Sequence, residues 1–243
     1  MERRVRDRDE TAMDLDEVRQ HMSLDDVEAD LEIDPEETAV IVVDMENDFV
    51  AEGAPLETPM GRAFADELEA FLEGCRDAGS QIIYTTHVHR ESGCDMGTMA
   101  DIWAPIEQRA GLVDETEGVE IYDQIAPQDD DILIKKHRYS GFYGTDLDII
   151  LRNSGIENVV ITGVTTENCC AMTAREAQFR DYRVVFLADL TGTFDYPDQG
   201  FGERSAQEIH ETVCTIIGTS VGTLATADDV LEAFGTRAVA SDD

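Results

Sequence analysis

Short apolar runs rich in Val, Ile and Leu alternate along this chain with amphipathic stretches, and this alternation limits the possible folds more than any other feature. The runs are nearly continuous, which is typical of strands buried in a parallel sheet. They predict six strands, at 39–44, 81–87, 131–135, 158–163, 183–188 and 220–225. The amphipathic stretches predict helices between them, at 64–72, 147–151, 206–216 and 227–234. The predicted fold class is therefore α/β, a three-layer α/β/α sandwich with a mostly parallel six-stranded sheet.

The chain is divided into an extension and one domain. Residues 1–36 are polar and rich in charge, and we expect them to form an oligomer arm or to be disordered. Residues 37–243 are long enough for one domain with a sizeable core. The stretch 88–128 is rich in Gly and acidic residues, and we interpret it as an insertion over the sheet edge.

Charge excludes one class of function. The chain has 54 acidic residues against 18 basic ones, a net charge of −36, and such a surface repels nucleic acid. No apolar run approaches the ~20 residues of a membrane span, and the first 25 residues lack the apolar stretch of a secretion signal. We expect a cytoplasmic protein that contacts neither nucleic acid nor membrane.

Only two of the 18 basic residues are lysines, the adjacent Lys135 and Lys136. An acidic surface poor in lysine favours a halophilic protein, because like-charge repulsion is screened within ~3 Å in molar salt. An ordinary acidic mesophilic protein is the alternative, although such proteins usually carry many more lysines. Two lysines kept side by side indicate a local role.

Three reactive side chains fall where predicted parallel strands end, and ligands of open parallel sheets bind at that edge. Asp44 closes the first strand, Lys136 follows the third, and Cys169 begins a helix after the fourth. A thiol in the first turn of a helix, beside an ammonium, is expected to have a lowered pKa. A nearby carboxylate could take the thiol proton. This set suits acyl transfer through a thioester.

Simpler interpretations exist for these residues and their neighbours. Alone, Asp44 would be read as a helix cap or turn residue. The five cysteines include no C-x-x-C pair, so we expect reduced thiols, most of them small core residues. His87 and His89 could form a Cys–His dyad or a metal pair. We expect these two side chains to point to opposite sides of the chain, with one lining the pocket and the other structural.

Three segments resemble one known family. They are IVVDMENDF at 41–49, IKKHRYSGFYGTDLD at 134–148 and VVITGVTTENCCAMTAREAQFRDYRVVFLAD at 159–189. Their order and spacing resemble the isochorismatase-like cysteine hydrolases over about residues 38–235. The resemblance implies the isochorismatase-like hydrolase fold and a catalytic triad at Asp44, Lys136 and Cys169. It also implies a cis peptide between Val164 and Thr165, with an oxyanion hole made by the backbone amides of Thr165 and Cys169.

Within that family the chain looks most similar to enzymes that cleave ureido or carbamoyl compounds, such as ureidoacrylate, biuret and N-carbamoylsarcosine amidohydrolases. Nicotinamidases carry a D-x-H…H metal site, and Thr85 stands where its Asp would be, so we expect no metal and no other cofactor. Two positions depart from the family. Glu46 stands where Gln is common, and Thr166-Glu167-Asn168-Cys169 replaces a T-N-x-C turn.

The resulting hypothesis is a cysteine-dependent hydrolase of a small C–N bond in an amide, ureido or carbamoyl compound. The expected substrate pocket comprises His87, Arg138, Tyr139, Ser140 and Phe142, although the last four could equally serve in packing. Alternatives are vinyl-ether hydrolysis of an isochorismate-like substrate and a catalytically silent α/β binding module. We expect a small-molecule substrate and a homo-oligomer, either a dimer or a tetramer.

The halophile interpretation predicts a dependence on salt. Dilution below roughly 0.5 M KCl should unscreen the acidic surface and unfold or dissociate the protein. Circular dichroism and sedimentation across a salt series measure both effects. Full stability in dilute buffer would contradict salt adaptation.

Overall fold

The computed structural model describes residues 31–240, and the side chains through residue 235. Within that range six parallel strands form one sheet in the order β3-β2-β1-β4-β5-β6. The strands are β1 Thr38–Val43, β2 Gln81–His87, β3 Ile132–Lys136, β4 Asn158–Val164, β5 Arg183–Gly192 and β6 Thr223–Ala225. The predicted α/β sandwich is confirmed.

Eight α-helices accompany these strands in the described range. The short ones are α1 Asn47–Val50, α2 Pro59–Ala63, α4 Ala104–Glu107 and α5 Leu147–Asn153. The longer ones are α3 Ala65–Asp77, α6 Ala171–Gln178, α7 Ala206–Ser220 and α8 Ala227–Ala240. No helix within residues 31–240 is long and apolar enough to cross a membrane.

The central strand β1 separates two cores because successive side chains point to opposite faces of a sheet. Val40 and Val42 pack in the core that contains α3 and α8 residues, including Leu68 and Phe234. Ala39, Ile41 and Val43 pack in the core on the other face, with residues of α5, α6 and α7. Every residue of β1 is buried, which explains its continuous apolar sequence.

Several predicted boundaries differ from the structure: β1 ends at Val43, so Asp44 follows the strand instead of closing it, and the helices extend beyond their predicted ends. Lys136 is the last residue of β3, not the residue after it. Strand β5 continues to Gly192, with a register shift against β4 between Ile161 and Gly163. Strand β6 begins only at Thr223, because α7 continues through Ser220. A capping box at Ser205 stabilises the N-terminus of α7.

The insertion and the extension also contact the domain core. Residues 88–128 form short helical turns, and Met96, Ile106 and Leu112 are buried in the core beside α3. Ile33, which the sequence boundary assigned to the extension, is buried there as well. Residues 1–30, the rest of the proposed arm, lie outside the described residues.

Gly163 permits the close approach of β4 to β1 at the edge that carries the reactive side chains. Its φ is +104°, and a Cβ at this position would lie 2.2 Å from the Val43 carbonyl oxygen. Gly155 also has a positive φ, +72°, but a Cβ there would meet no atom within 4 Å. An alanine at Gly155 would therefore suffer backbone strain alone, whereas an alanine at Gly163 would also clash with the Val43 carbonyl.

We expect Gly163→Ala to destabilise the fold by about 3 kcal/mol or more. The matched variant Gly155→Ala should lose only about 1 kcal/mol, because it suffers backbone strain alone. Denaturant unfolding of both variants at one salt concentration measures the difference. Equal losses would show that the contact with Val43 is unimportant.

Candidate active site

Asp44 follows β1 directly and is fully buried. Its φ of 49° is unusual for a residue other than glycine. Thr85, a residue of β2, fixes the position of Asp44 by two hydrogen bonds. The Asp44 amide donates to the Thr85 carbonyl at 3.0 Å, and Thr85 Oγ1 donates to Asp44 Oδ1 at 2.7 Å. This role of Thr85 was not predicted from the sequence, where its signal is its position beside the end of β1 in a parallel pair.

Lys136 is fully buried at the end of β3 and forms an ion pair with Asp44. Its Nζ lies 2.7 Å from Asp44 Oδ2 and 3.4 Å from Cys169 Sγ, and it donates to the Arg138 carbonyl at 3.0 Å. Burial alone would lower the pKa of Lys136, but Asp44 and Cys169 outweigh it and raise that pKa. The ammonium form is therefore stable inside the protein.

Cys169 lies in a π-helical turn, Thr166–Cys170, that leads into α6. Of the three side chains brought together, only Cys169 retains exposed surface, 3% of its residue area. Burial raises the pKa of the Cys169 thiol well above its ordinary value, and Asp44 adds to this effect while Lys136 opposes it. The expectation of a lowered thiol pKa was wrong, because desolvation outweighs the ammonium. The resting site therefore holds a protonated thiol.

Glu167 organises the turn that carries Cys169. The Val164–Thr165 peptide at its start is cis, as the resemblance implied. Glu167 Oε1 accepts hydrogen bonds from Thr165 Oγ1 at 2.7 Å, Asn168 Nδ2 at 3.0 Å and Tyr196 Oη at 2.6 Å. The departure from the family turn at Glu167 was visible in the sequence, but its link to Tyr196, about 30 residues away, was not.

His87 and His89 lie close together, with ring centroids 5.1 Å apart. The expectation that they diverge was wrong, because side chains two residues apart on an extended chain share a face. Both are buried, and their four ring nitrogens form no hydrogen bond with any described residue. Burial, followed by Lys136, lowers the pKa of His87 well below its ordinary value, so its ring is neutral.

Two groups of described residues could each offer three ligand atoms to a metal ion. One is Asp44, His87 and Cys169, and the other is His89, Asp95 and His137; within each group the atoms lie within 4.8 Å of one another. In the first group Lys136 already contacts Asp44 and Cys169. In the second, His137 Nδ1 is 2.7 Å from the Val88 carbonyl oxygen, so a metal bound through that nitrogen would compete with this contact.

Of the residues expected to line the pocket, Tyr139 lies beside His87, whereas Arg138 contacts backbone carbonyls. Tyr139 is half-buried, and its ring meets His87 edge-on at 6.2 Å between centroids. Burial and the neighbouring Cys169 raise the pKa of Tyr139, which places it near the sulfur. Arg138 Nη1 donates to the Asp95 carbonyl at 2.8 Å and also contacts the His137 carbonyl.

Ser140 and Phe142 serve local structure. Ser140 Oγ accepts a hydrogen bond from the Phe142 amide at 3.1 Å, which closes a turn. The Phe142 ring stacks on Tyr182 at 6.1 Å between centroids and lies under the Arg180 guanidinium. Phe142 therefore packs in the core on the α5 side, and the expectation that it lines a pocket is not supported by its contacts.

Glu46, the other departure from the family, is fully buried two residues after Asp44. Neither of its carboxyl oxygens has a hydrogen-bond partner of good geometry within the described part of the chain, although the nearby His87 backbone N–H acts to lower its pKa. Burial, and then the charge of Asp44, raise the pKa of Glu46 well above its ordinary value. Its side chain is thereby favoured in the neutral form beside the ion pair.

The Isochorismatase domain family model matches residues 38–219 of this chain. The chain belongs to the isochorismatase family. This is the family that the three sequence segments resemble, and it is a family of hydrolases whose fold has the same parallel sheet with flanking helices.

Relatives of this isochorismatase-family chain include proteins with different activities. It is 32% identical to the ureidoacrylate amidohydrolase RutB of Rhizobium rhizogenes, over 65% of this chain and 71% of that protein. It is also 32% identical to a protein of Arabidopsis thaliana named probable inactive nicotinamidase, over 63% of this chain and 80% of that protein. A solved cysteine hydrolase of Pseudomonas syringae pv. phaseolicola has a TM-score of 0.82 and 33% identity, covering 85% of this chain and 96% of its own.

Opposed shifts in thiol reactivity should follow removal of the two charged neighbours of Cys169. Because Asp44 raises the Cys169 pKa and Lys136 lowers it, Asp44→Asn should move the pH profile of alkylation to lower pH. Lys136→Met should move the profile up. Peptide mass spectrometry of iodoacetamide-treated protein measures both.

Exposed Cys94 is the internal control, and its rate should be the same in all three proteins. Circular dichroism identifies any variant that is not folded. Shifts of the same sign in both variants would contradict this electrostatic account.

Proposed function

We propose that this chain is a cysteine-dependent hydrolase that cleaves a C–N bond in small amide, ureido or carbamoyl compounds through a thioester. The observation that carries the proposal is the contact of one buried ammonium, Lys136 Nζ, with both Asp44 Oδ2 and Cys169 Sγ. A base, a nucleophile and a cation within one water-poor site are what covalent acyl transfer requires.

The first half of the reaction transfers an acyl or carbamoyl group to sulfur. Asp44 takes the proton of Cys169, which is necessary because burial keeps the thiol protonated. The sulfur then attacks the substrate carbonyl carbon. Lys136 stabilises the thiolate as it forms, and the backbone amides of Thr165 and Cys169 donate to the developing oxyanion. Asp44 returns the proton to the nitrogen as ammonia or an amine leaves.

The second half releases the product. Asp44, again a carboxylate, takes a proton from a water molecule that attacks the thioester carbonyl. The carbon–sulfur bond breaks, and the proton passes back to sulfur. Lys136 keeps its position throughout, because its three contacts hold it to Asp44 after β1, to the Cys169 turn and to the Arg138 carbonyl oxygen.

The ureidoacrylate amidohydrolase of Rhizobium supports a ureido substrate, and the Pseudomonas cysteine hydrolase supports a cysteine nucleophile. A catalytically silent protein is the second candidate, favoured by the name of the Arabidopsis relative. The retained acid, lysine and cysteine argue against silence in this chain. Vinyl-ether hydrolysis needs no nucleophile. A thiol beside a buried ion pair therefore favours C–N bond hydrolysis over vinyl-ether hydrolysis.

Ammonia release tests the proposal. In molar potassium chloride the protein should hydrolyse at least one member of a panel of ureido compounds, carbamoyl compounds, simple amides and nicotinamide. Cys169→Ser should reduce kcat by about a hundredfold or more, because a serine hydroxyl beside Asp44 is a much weaker nucleophile.

The matched control is Cys170→Ser, which changes the adjacent buried thiol, whose sulfur contacts the Thr162 carbonyl. It should keep most of the activity. Full activity in Cys169→Ser would remove the thioester from the mechanism, and inactivity of the wild type on every compound would favour the silent alternative.

A further inference from the structure

His87 is a buried polar side chain whose hydrogen-bonding capacity is unused. It is the last residue of β2, it pairs in register with Lys136, and it has no exposed surface. One of its ring nitrogens lies within 4.8 Å of both Cys169 Sγ and a carboxylate oxygen of Asp44. Neither ring nitrogen forms a hydrogen bond with any residue in the described range.

A histidine with a purely structural role looks different in the same protein. His210 is equally buried, but its Nδ1 lies 2.9 Å from Thr166 Oγ1 and its Nε2 lies 2.9 Å from the Ala188 carbonyl oxygen. A buried polar group without a partner costs about 1–3 kcal/mol, and native proteins rarely leave one. A partner for His87 is therefore expected from outside the polypeptide.

The neutral ring of His87 offers one donor and one acceptor. A carbonyl carbon about to be attacked lies about 3–3.5 Å from the sulfur, and the nitrogen bonded to it lies ~1.3 Å further on. A ring nitrogen within 4.8 Å of the same sulfur can thus come within about 3 Å of that substrate nitrogen, which is hydrogen-bonding distance.

We propose that His87 accepts a hydrogen bond from the N–H on the non-leaving side of the scissile carbonyl, and so selects ureido groups of the form NH–CO–NH₂ over groups alkylated at that nitrogen. This inference rests on the proposed function and adds its specificity-determining residue. It gives the orphaned imidazole a partner only when substrate is bound.

The other polar groups around the sulfur favour the same kind of substrate. Lys136 Nζ already contacts Asp44 Oδ2, Cys169 Sγ and the Arg138 carbonyl oxygen. Lys136 is therefore not free to donate to a substrate, whereas the ring of His87 keeps an acceptor that no described residue uses. Such a site matches a substrate that carries N–H groups. The edge-on contact with Tyr139 holds the His87 ring in place.

A pair of substrates that differ by one methyl group tests the inference. N-Carbamoylglycine carries N–H at the non-leaving nitrogen, and N-carbamoylsarcosine carries N–CH₃. Wild type should favour the first by about tenfold or more in kcat/KM, the usual worth of one hydrogen bond in a closed site. His87→Leu, which is apolar and of similar volume, should bring this ratio close to one. Cys170→Ser is the control and should keep the wild-type ratio.

Two conservative variants indicate which ring nitrogen acts and guard against misfolding. His87→Asn places an amide near the position of Nδ1, and His87→Gln places one near Nε2. One of them should restore a preference for N-carbamoylglycine, and the other should behave like the leucine variant. If the leucine variant does not fold, the comparison of these two variants with wild type decides.

Each remaining result contradicts a specific step. A wild-type ratio near one overturns the inference, and so does an unchanged ratio in His87→Leu, since steric exclusion of the methyl group would then explain the preference. The inference is also overturned if His87→Asn and His87→Gln both show the same ratio of the two kcat/KM values as wild type. Ammonia release from other C–N compounds under those outcomes would leave the proposed function intact, whereas wild type that hydrolyses nothing removes both.

Discussion

The ion pair between Lys136 and Asp44 is the interaction on which the rest of the site depends. Both side chains have no exposed surface, and 2.7 Å separates their charged atoms. Removing one partner of a buried pair typically costs about 3–5 kcal/mol, because the remaining charge is left without compensation. The pair therefore stabilises the fold as well as the site. It also fixes the Lys136 ammonium in place, and Cys169 Sγ lies 3.4 Å from that ammonium.

Parallel strand order explains how residues 44, 136 and 169 come together. Strand β1 lies between β2 and β4, and β3 lies beyond β2, so all their carboxyl ends meet along one edge. Side-chain length then matters: Lys136 must reach past β2 to Asp44, and it has a chain of four methylenes for this purpose. Gly163, where a Cβ would meet the Val43 carbonyl, keeps β4 close enough for the Cys169 turn to join them.

Sequence patterns predicted the strands and the three reactive positions because both depend on local features: continuous apolar runs and the residues at their ends. They failed where the outcome depends on the balance of long-range terms. A lowered thiol pKa was expected from Lys136 and the start of a helix, but the nearly complete burial of Cys169 raises that pKa instead. For Phe142 the sequence left a pocket role and a packing role open, because its packing partners Tyr182 and Arg180 are about 40 residues away. Cytoplasmic location, salt adaptation and oligomeric state stay predictions.

Glu46 shows how the environment can compensate for a change of residue type. The family resemblance implies glutamine at this position, which is neutral and offers both a donor and an acceptor. A protonated carboxyl has nearly the same shape and also offers a donor and an acceptor. Because burial and Asp44 raise the pKa of Glu46, the neutral form is the one that the site stabilises. Glutamate in place of glutamine therefore adds no second negative charge beside the ion pair, as long as the Glu46 carboxyl stays protonated. The net charge of Asp44, Lys136 and the thiol remains zero, and the proton transfer that we propose from Cys169 to Asp44 does not take place beside a second carboxylate.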